Sequence, residues 1–176
     1  NNEWQPWRKE AQVGIRKADA HLCFKPTDRT YLTELLGTDE RIYDFPSFIH
    51  TKDHSSDDTM PLPEHWDTHT SVLITTGMMR PGKKVRNFEL LAETMSSMTD
   101  QNWNLVIVGG GPEEDNIKSM FSTMDPQRIH FTGQVEHHEV LGWMKAADIF
   151  IWPGWKEPIG MVYLEAQLQG LPVIAS

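Results

Sequence analysis

The chain has 176 residues, with 16 Lys and Arg against 25 Asp and Glu, a formal net charge of −9. That acidity argues against general nucleic-acid binding, which relies on cations meeting phosphates. No apolar run approaches the roughly 20 residues needed to span a bilayer, and a single cysteine, Cys23, precludes an internal disulfide. The length allows one sizeable core, or one domain and part of another. The sequence does not begin with Met, carries no signal peptide and reads as a piece of something longer, cut at both ends.

Residues 1–20 suggest a helix around Trp4, Trp7, Val13 and Ile15. HLCFKP (21–26) reads as a short strand with Cys23 as a small core residue. Thr27 is the expected N-cap of a helix that ends at Leu36, with Gly37 as its stop. Arg41–Phe45 reads as a second strand, ended by Pro46. Strand, helix, strand is the tail of a parallel α/β layer. Residues 50–70 hold two prolines, five acids, one lysine and four histidines, and read as a solvated linker. His50, His54, His65 and His69 raise a metal site as the sharper alternative, but Pro61 and Pro63 oppose the long helix that would align His65 with His69.

From Ser71 strands alternate with helices. Strands are expected at 72–76, 105–108, 129–131, 149–152 and 172–175. Helical stripes run through Phe88, Leu91, Ala92, Met95 and Met98, through Ile117, Met120, Phe121 and Met124, through Val140, Leu141, Met144 and Ala147, and over 159–169. The pattern predicts an α/β, Rossmann-like parallel sheet with helices on both faces. Ligands of such sheets bind beyond the carboxyl ends of the strands, in four loops here.

The loop after Thr76, GMMRPGKKVRN, has four basic residues (Arg80, Lys83, Lys84, Arg86) and no acid. They crowd a helix start, where the dipole disfavours cations, so a bound anion such as a phosphate would explain them better than a solvated loop. The GGGPEED loop after Val108 fails the dinucleotide fingerprint, whose third glycine falls on Glu114. Its acids would repel a phosphate, and its glycines are expected to give a ligand close backbone approach. After Phe131, Gly133–Val135 present backbone groups suited to a flat ring such as a base, while His137 and His138 read as surface residues at a helix start. In WPGWKEPIGMVYLEAQLQG (152–170), Glu157 and Glu165 flank a helix start at which Pro158 fits the first position and Gly160 allows close approach. Helical rise places Glu165 roughly 7–8 Å along the axis from Gly160. Two carboxylates so spaced suit hydroxyls at the ends of one extended ligand with phosphates between, although spacing alone equally describes two surface glutamates.

EPIGMVYLEAQLQGLPVIAS (157–176) closely resembles the signature of family 4 (group 1) glycosyltransferases of the GT-B fold: an E-x7-E pair, Glu157 and Glu165, then Gly170, Pro172 and Val173. LITTGMMRPGKK, NLVIVGGGP, IHFTGQV and AADIFIWP precede it in the family's order. The resemblance implies the end of an N-terminal acceptor domain over 1–49, a linker over 50–70 and an incomplete C-terminal nucleotide-sugar-binding domain over 71–176. It implies that Glu157 contacts donor-sugar hydroxyls and Glu165 the ribose. The amides of Ile159, Gly160 and Met161 would approach sugar and diphosphate, with Gly77, Gly110 and Val135 in the donor site. Arg80 with Lys84 or Lys83 would neutralise the diphosphate; the family's usual arginine position holds Met78. It further implies transfer with retention from a nucleotide-diphosphate sugar to a glycan or lipid-linked acceptor, with no required metal. A cytoplasmic location follows, with membrane contact through the missing N-terminal part, and the piece alone is expected to be inactive. The competing readings are a nucleotide-sugar epimerase, a non-catalytic binding module and, less in keeping with the glycine pattern, a dinucleotide oxidoreductase.

Overall fold

The computed structural model describes residues 7–50, 58–157 and 159–176. They form two compact units, Asn1–Phe48 and Ile49–Ser176. In the first, helix α1 (Arg8–Lys17) leads to β1 (His21–Cys23), α2 (Pro26–Leu36) and β2 (Ile42–Asp44). β1 and β2 pair in parallel. α2 starts two residues earlier than Thr27 as N-cap would allow, because Pro26 takes the first helical position, where its missing N–H costs nothing. Arg29 ties the helix to β2 through Asp44 at 2.9 Å and the Ile42 carbonyl at 2.8 Å. Cys23 is buried, and burial raises its thiol pKa, keeping it protonated. Trp4 lies outside the described residues.

The second unit alternates β3 (Ser71–Thr76), α3 (Lys83–Ser97), β4 (Trp103–Val108), α4 (Glu114–Met120), β5 (Ile129–Gly133), α5 (His137–Lys145), β6 (Ile149–Trp152), α6 (Met161–Leu168) and β7 (Val173–Ala175). Its five strands are all parallel, in the order β5-β4-β3-β6-β7. The first strand of the unit is therefore central: the chain builds outward through β4 and β5, then returns to β6 on the other side. β4 is buried along its whole length, as a strand covered on both faces must be. The helical stripes supply the cover, with Phe88, Leu91, Met95, Ile117, Leu141 and Met144 fully buried. Burial of side chains of this size contributes on the order of 1.5–3 kcal/mol each. No described helix is long and apolar enough to cross a membrane.

Residues 58–70 depart from the expected solvated linker. Met60, Leu62 and Trp66 pack on the core, and the Met60 amide donates to the Gly142 carbonyl at 3.2 Å. The Trp66 indole donates to the Gln127 carbonyl at 2.6 Å, which His65 also contacts at 2.9 Å. Of the histidines, His65 is thus tied to a packed strap on which His69 is exposed; no group of three metal-ligating side chains occurs among the described residues, and His54 lies outside them.

His130 of β5 stands between Trp143, 5.2 Å away, and Trp66, 6.5 Å away. Burial, and secondarily the neighbouring His65, lowers its pKa below 6.5. The native state therefore favours the neutral ring. Stability is complete above the unfolded pKa, and is lost as pH falls through that value toward the lower native one. Thermal melts between pH 7.5 and 5.5 should show a smaller drop in Tm for His130→Phe than for the wild type.

Candidate functional site

The strand order reverses between β3 and β6, which pair through Leu73–Ile149 and Ile74–Phe150. At such a switch point the loops leaving adjacent strands diverge to opposite faces and open a crevice. A cleft of about 840 Å³ lies there, lined from the β3 loop by Gly77, Met78, Arg80 and Lys84, and from the β6 loop and α6 by Glu157, Ile159, Gly160, Met161 and Glu165. Gly110 and Val135 line its far wall, so ten of the eleven site residues expected from the sequence border one cavity. The exception is Lys83, which instead lines an adjoining pocket of about 280 Å³ with Trp155 and Lys156. It precedes Lys84 at the helix start, and consecutive helical residues face different ways.

The floor is backbone. Loops after β3, β4 and β5 continue the pairing of their strands: Gly77 N–H donates to Val108 at 3.0 Å, Met79 N–H to Gly110 at 2.9 Å, Gly109 N–H to Gly133 at 3.0 Å and Glu113 N–H to Met79 at 3.0 Å. The glycine run also borders the cleft, and the neighbouring loop imposes its own demand on it. At Gly109 and Gly111, with φ 126° and 148°, a Cβ would strike the carbonyls of Gly77 and Met79. Gly133 is likewise engaged in this pairing; Gln134 and Val135 face the cleft. The two methionines divide their roles. Met79 is fully buried beneath the loop, whereas Met78 is 58% exposed and borders the cleft beside Arg80.

Across the crevice Lys84 Nζ meets a Glu157 carboxylate oxygen at 2.9 Å, with both side chains only about one-fifth exposed at 20% and 18%. Lys84 also stands 5.2 Å from the centre of the Trp152 ring, whose indole N–H donates to the same carboxylate oxygen at 3.3 Å. The sequence suggests separate duties for Lys84 and Glu157; in the folded chain they are partners. α6 begins at Met161, later than the expected 159, after Gly160 in the left-handed region at φ 70°. A Cβ there would press on the Tyr163 ring at 2.5 Å. Burial, followed by the nearby Glu157 charge, raises the Tyr163 pKa. Pro158, expected at the first helical position, lies outside the described residues. α6 has no side-chain cap at Gly160, and its Tyr163 amide donates to the Gly160 carbonyl at 2.9 Å.

His137, read from the sequence as a surface residue, lines the cleft, as do Thr76 and Pro112, to which the sequence assigned no site role, and Gln134 within the expected 133–135 segment. Only their position just past a strand end hints at this. Trp152 reads as core, and its polar edge toward Glu157 has no sequence signal.

Acidic and basic side chains thus meet in one crevice at the switch point of a parallel α/β sheet. The chain belongs to the group 1 glycosyltransferases: the model of that family, described as glycosyl transferases group 1, matches residues 70–176. It is 37% identical over 78 residues to a GDP-mannose-dependent phosphatidylinositol monomannoside mannosyltransferase of Corynebacterium glutamicum, across 40% of this chain and 20% of that protein. Among solved structures, sucrose-phosphate synthase from Thermosynechococcus elongatus superposes with a TM-score of 0.71 at 21% identity, over 94% of this chain and 42% of that one. HepE from Anabaena, solved with UDP, gives 0.67 at 18% identity, over 98% and 49%. The chain thus spans less than half the length of these proteins, and its fold is that of the GT-B enzymes.

Two outcomes test this geometry. Lys84→Ala should lower stability by about 1–3 kcal/mol, the range for hydrogen bonds to charged groups, whereas Arg80→Ala should leave the melting temperature nearly unchanged. Gly109→Ala should cost about 1–3 kcal/mol or more, since it adds a clash to a strained backbone; a denaturant midpoint equal to wild type would contradict the interlocked floor.

Proposed function

We propose that the crevice is the donor site of a retaining glycosyltransferase, which moves a sugar from a nucleotide-diphosphate sugar to a glycan or lipid-linked acceptor. The observation carrying this reading is the single cavity in which Glu157, Glu165, Arg80, Lys84 and the start of α6 meet. On this reading Glu165 holds the ribose hydroxyls, and Val135 and Gly110 back the nucleoside. The diphosphate lies between Arg80, Lys84 and the first amides of α6. Glu157 receives the sugar hydroxyls.

Transfer breaks the bond between the anomeric carbon and the phosphate oxygen, forms one to the acceptor oxygen, and passes the acceptor's hydroxyl proton to the departing diphosphate. The departing diphosphate gains charge as that bond breaks. Fixed cations and helix amides oppose that charge most strongly in the transition state, which lowers the barrier. Lys84 is already desolvated and held by Glu157, so it turns from a carboxylate to a phosphate with little loss of order. Positive charge from side chains fills the role a metal ion has in other phosphate sites, and the proposal includes no required metal. UDP bound to HepE and the GDP-mannose named for the Corynebacterium relative support a nucleotide donor without fixing the base.

Calorimetric titration of the full-length protein with UDP, GDP and ADP should give binding to at least one. Glu165→Ala should weaken that binding at least tenfold, and Glu157→Ala should reduce sugar transfer while leaving nucleotide affinity nearly intact. Chelation with EDTA should not lower turnover. Absence of heat with all three nucleotides, together with no thermal shift, would sink the proposal.

A further inference from the structure

Asn87 lies in α3, three residues beyond Lys84, on the buried side beside Phe88. It is 1% exposed. An apolar residue would suit that face, and a buried amide is costly unless its polar atoms are paired. Those of Asn87 are. Its Oδ1 accepts from the Trp155 N–H at 2.7 Å, and its Nδ2 donates to the Trp155 carbonyl at 3.1 Å and to the Lys83 carbonyl at 2.8 Å. The side chain engages both backbone groups of Trp155, as a neighbouring strand would.

The segment it grips carries Glu157. Between the two lies Lys156, a non-glycine residue in the left-handed region at φ 54°, where a side chain is unfavourable unless its surroundings impose it. The segment is fixed on both sides of that residue, by Asn87 at Trp155 and by Lys84 and the Trp152 indole at Glu157. The Lys84 and Asn87 attachments differ in one respect. Lys84 is the cation that a donor phosphate would recruit, so its bond to Glu157 is in competition with ligand. The Asn87 contacts involve only backbone and compete with nothing.

We propose that Asn87 is a positioning residue: it holds the Glu157 segment against α3 while Lys84 turns to the diphosphate, and so keeps Glu157 at the sugar. The inference rests on the donor-site reading above.

The test uses full-length Asn87→Ala and Asn87→Asp, assayed below their melting temperatures. Asn87→Ala should lose at least tenfold in kcat while keeping nucleoside-diphosphate affinity within about twofold, because the nucleotide contacts lie elsewhere. Asn87→Asp keeps the acceptor for Trp155 N–H and regains a donor when its carboxyl is protonated. Its activity relative to wild type should therefore rise as pH is lowered from 8 to 5.5. Turnover of Asn87→Ala within twofold of wild type, or turnover and nucleotide affinity falling together, would overturn the proposal. Should Asn87→Ala not fold, a flat relative pH profile for Asn87→Asp would do the same. Hydrogen exchange separates this from failure of the donor-site reading. If wild type binds no nucleotide, that reading falls. Asn87 is then judged on amides 154–157, which should exchange at least tenfold faster in the variant (Asn87→Asp at pH 8 if Asn87→Ala does not fold) while 103–108 are unchanged. Equal exchange at 154–157 would overturn its role as a clamp.

Discussion

The constraint on which the site depends is the parallel pairing of β3 with β4, in register from Ser71–Trp103 to Thr76–Val108 and carried past the strand ends into the loops. A parallel ladder ordinarily ends where side chains of the following loops prevent close approach. Here Gly109 and Gly111 remove those side chains, and main-chain bonds continue to Glu113. The result is a rigid shelf at the carboxyl edge, set at the depth from which Arg80, Lys84 and the start of α6 reach a common point. The hydrophobic core beneath is conventional. It fixes the strands; the shelf fixes what lies above them.

Charge is the second organising element. A chain with net charge −9 concentrates basic residues in one loop at a helix start, against the helix dipole. The Lys84–Glu157 pair relieves that local conflict in the folded chain. Both groups are largely desolvated, which makes their attraction stronger than that of a surface pair but also makes each costly alone. Such a pair holds its geometry while still offering an incoming phosphate a cation. The Trp152 ring, beneath Lys84 and bonded to Glu157, belongs to the same arrangement.

Much of this was legible in the sequence. Alternating apolar runs give every strand and helix of the second unit, because parallel strands buried on both faces leave a strong signal. The E-x7-E pair and the basic loop locate the two halves of the cleft. Strand order is not local information: nothing in residues 149–152 says that β6 returns beside β3, and that adjacency brings Lys84 to Glu157. The strap at 58–70 misled by composition. Its prolines and acids describe a loop correctly, while Met60, Leu62 and Trp66, three apolar residues spaced without period, attach it to the core. The glycine run pointed to close approach; the neighbouring loop makes one at Gly109 and Gly111, and a single sequence does not distinguish that from the approach of a ligand. At α2 the local rule for Pro26 outweighed that for Thr27.

The shelf also sets where this scaffold can vary. Its bonds are between main-chain atoms, and Gly109 and Gly111 leave no room for a Cβ, so these two positions of the floor resist mutation. Freedom remains in the walls, at Met78, Gln134 and Val135, whose side chains border the cavity. A lineage built on this unit would diverge in ligand choice through those positions, while the floor beneath stayed the same.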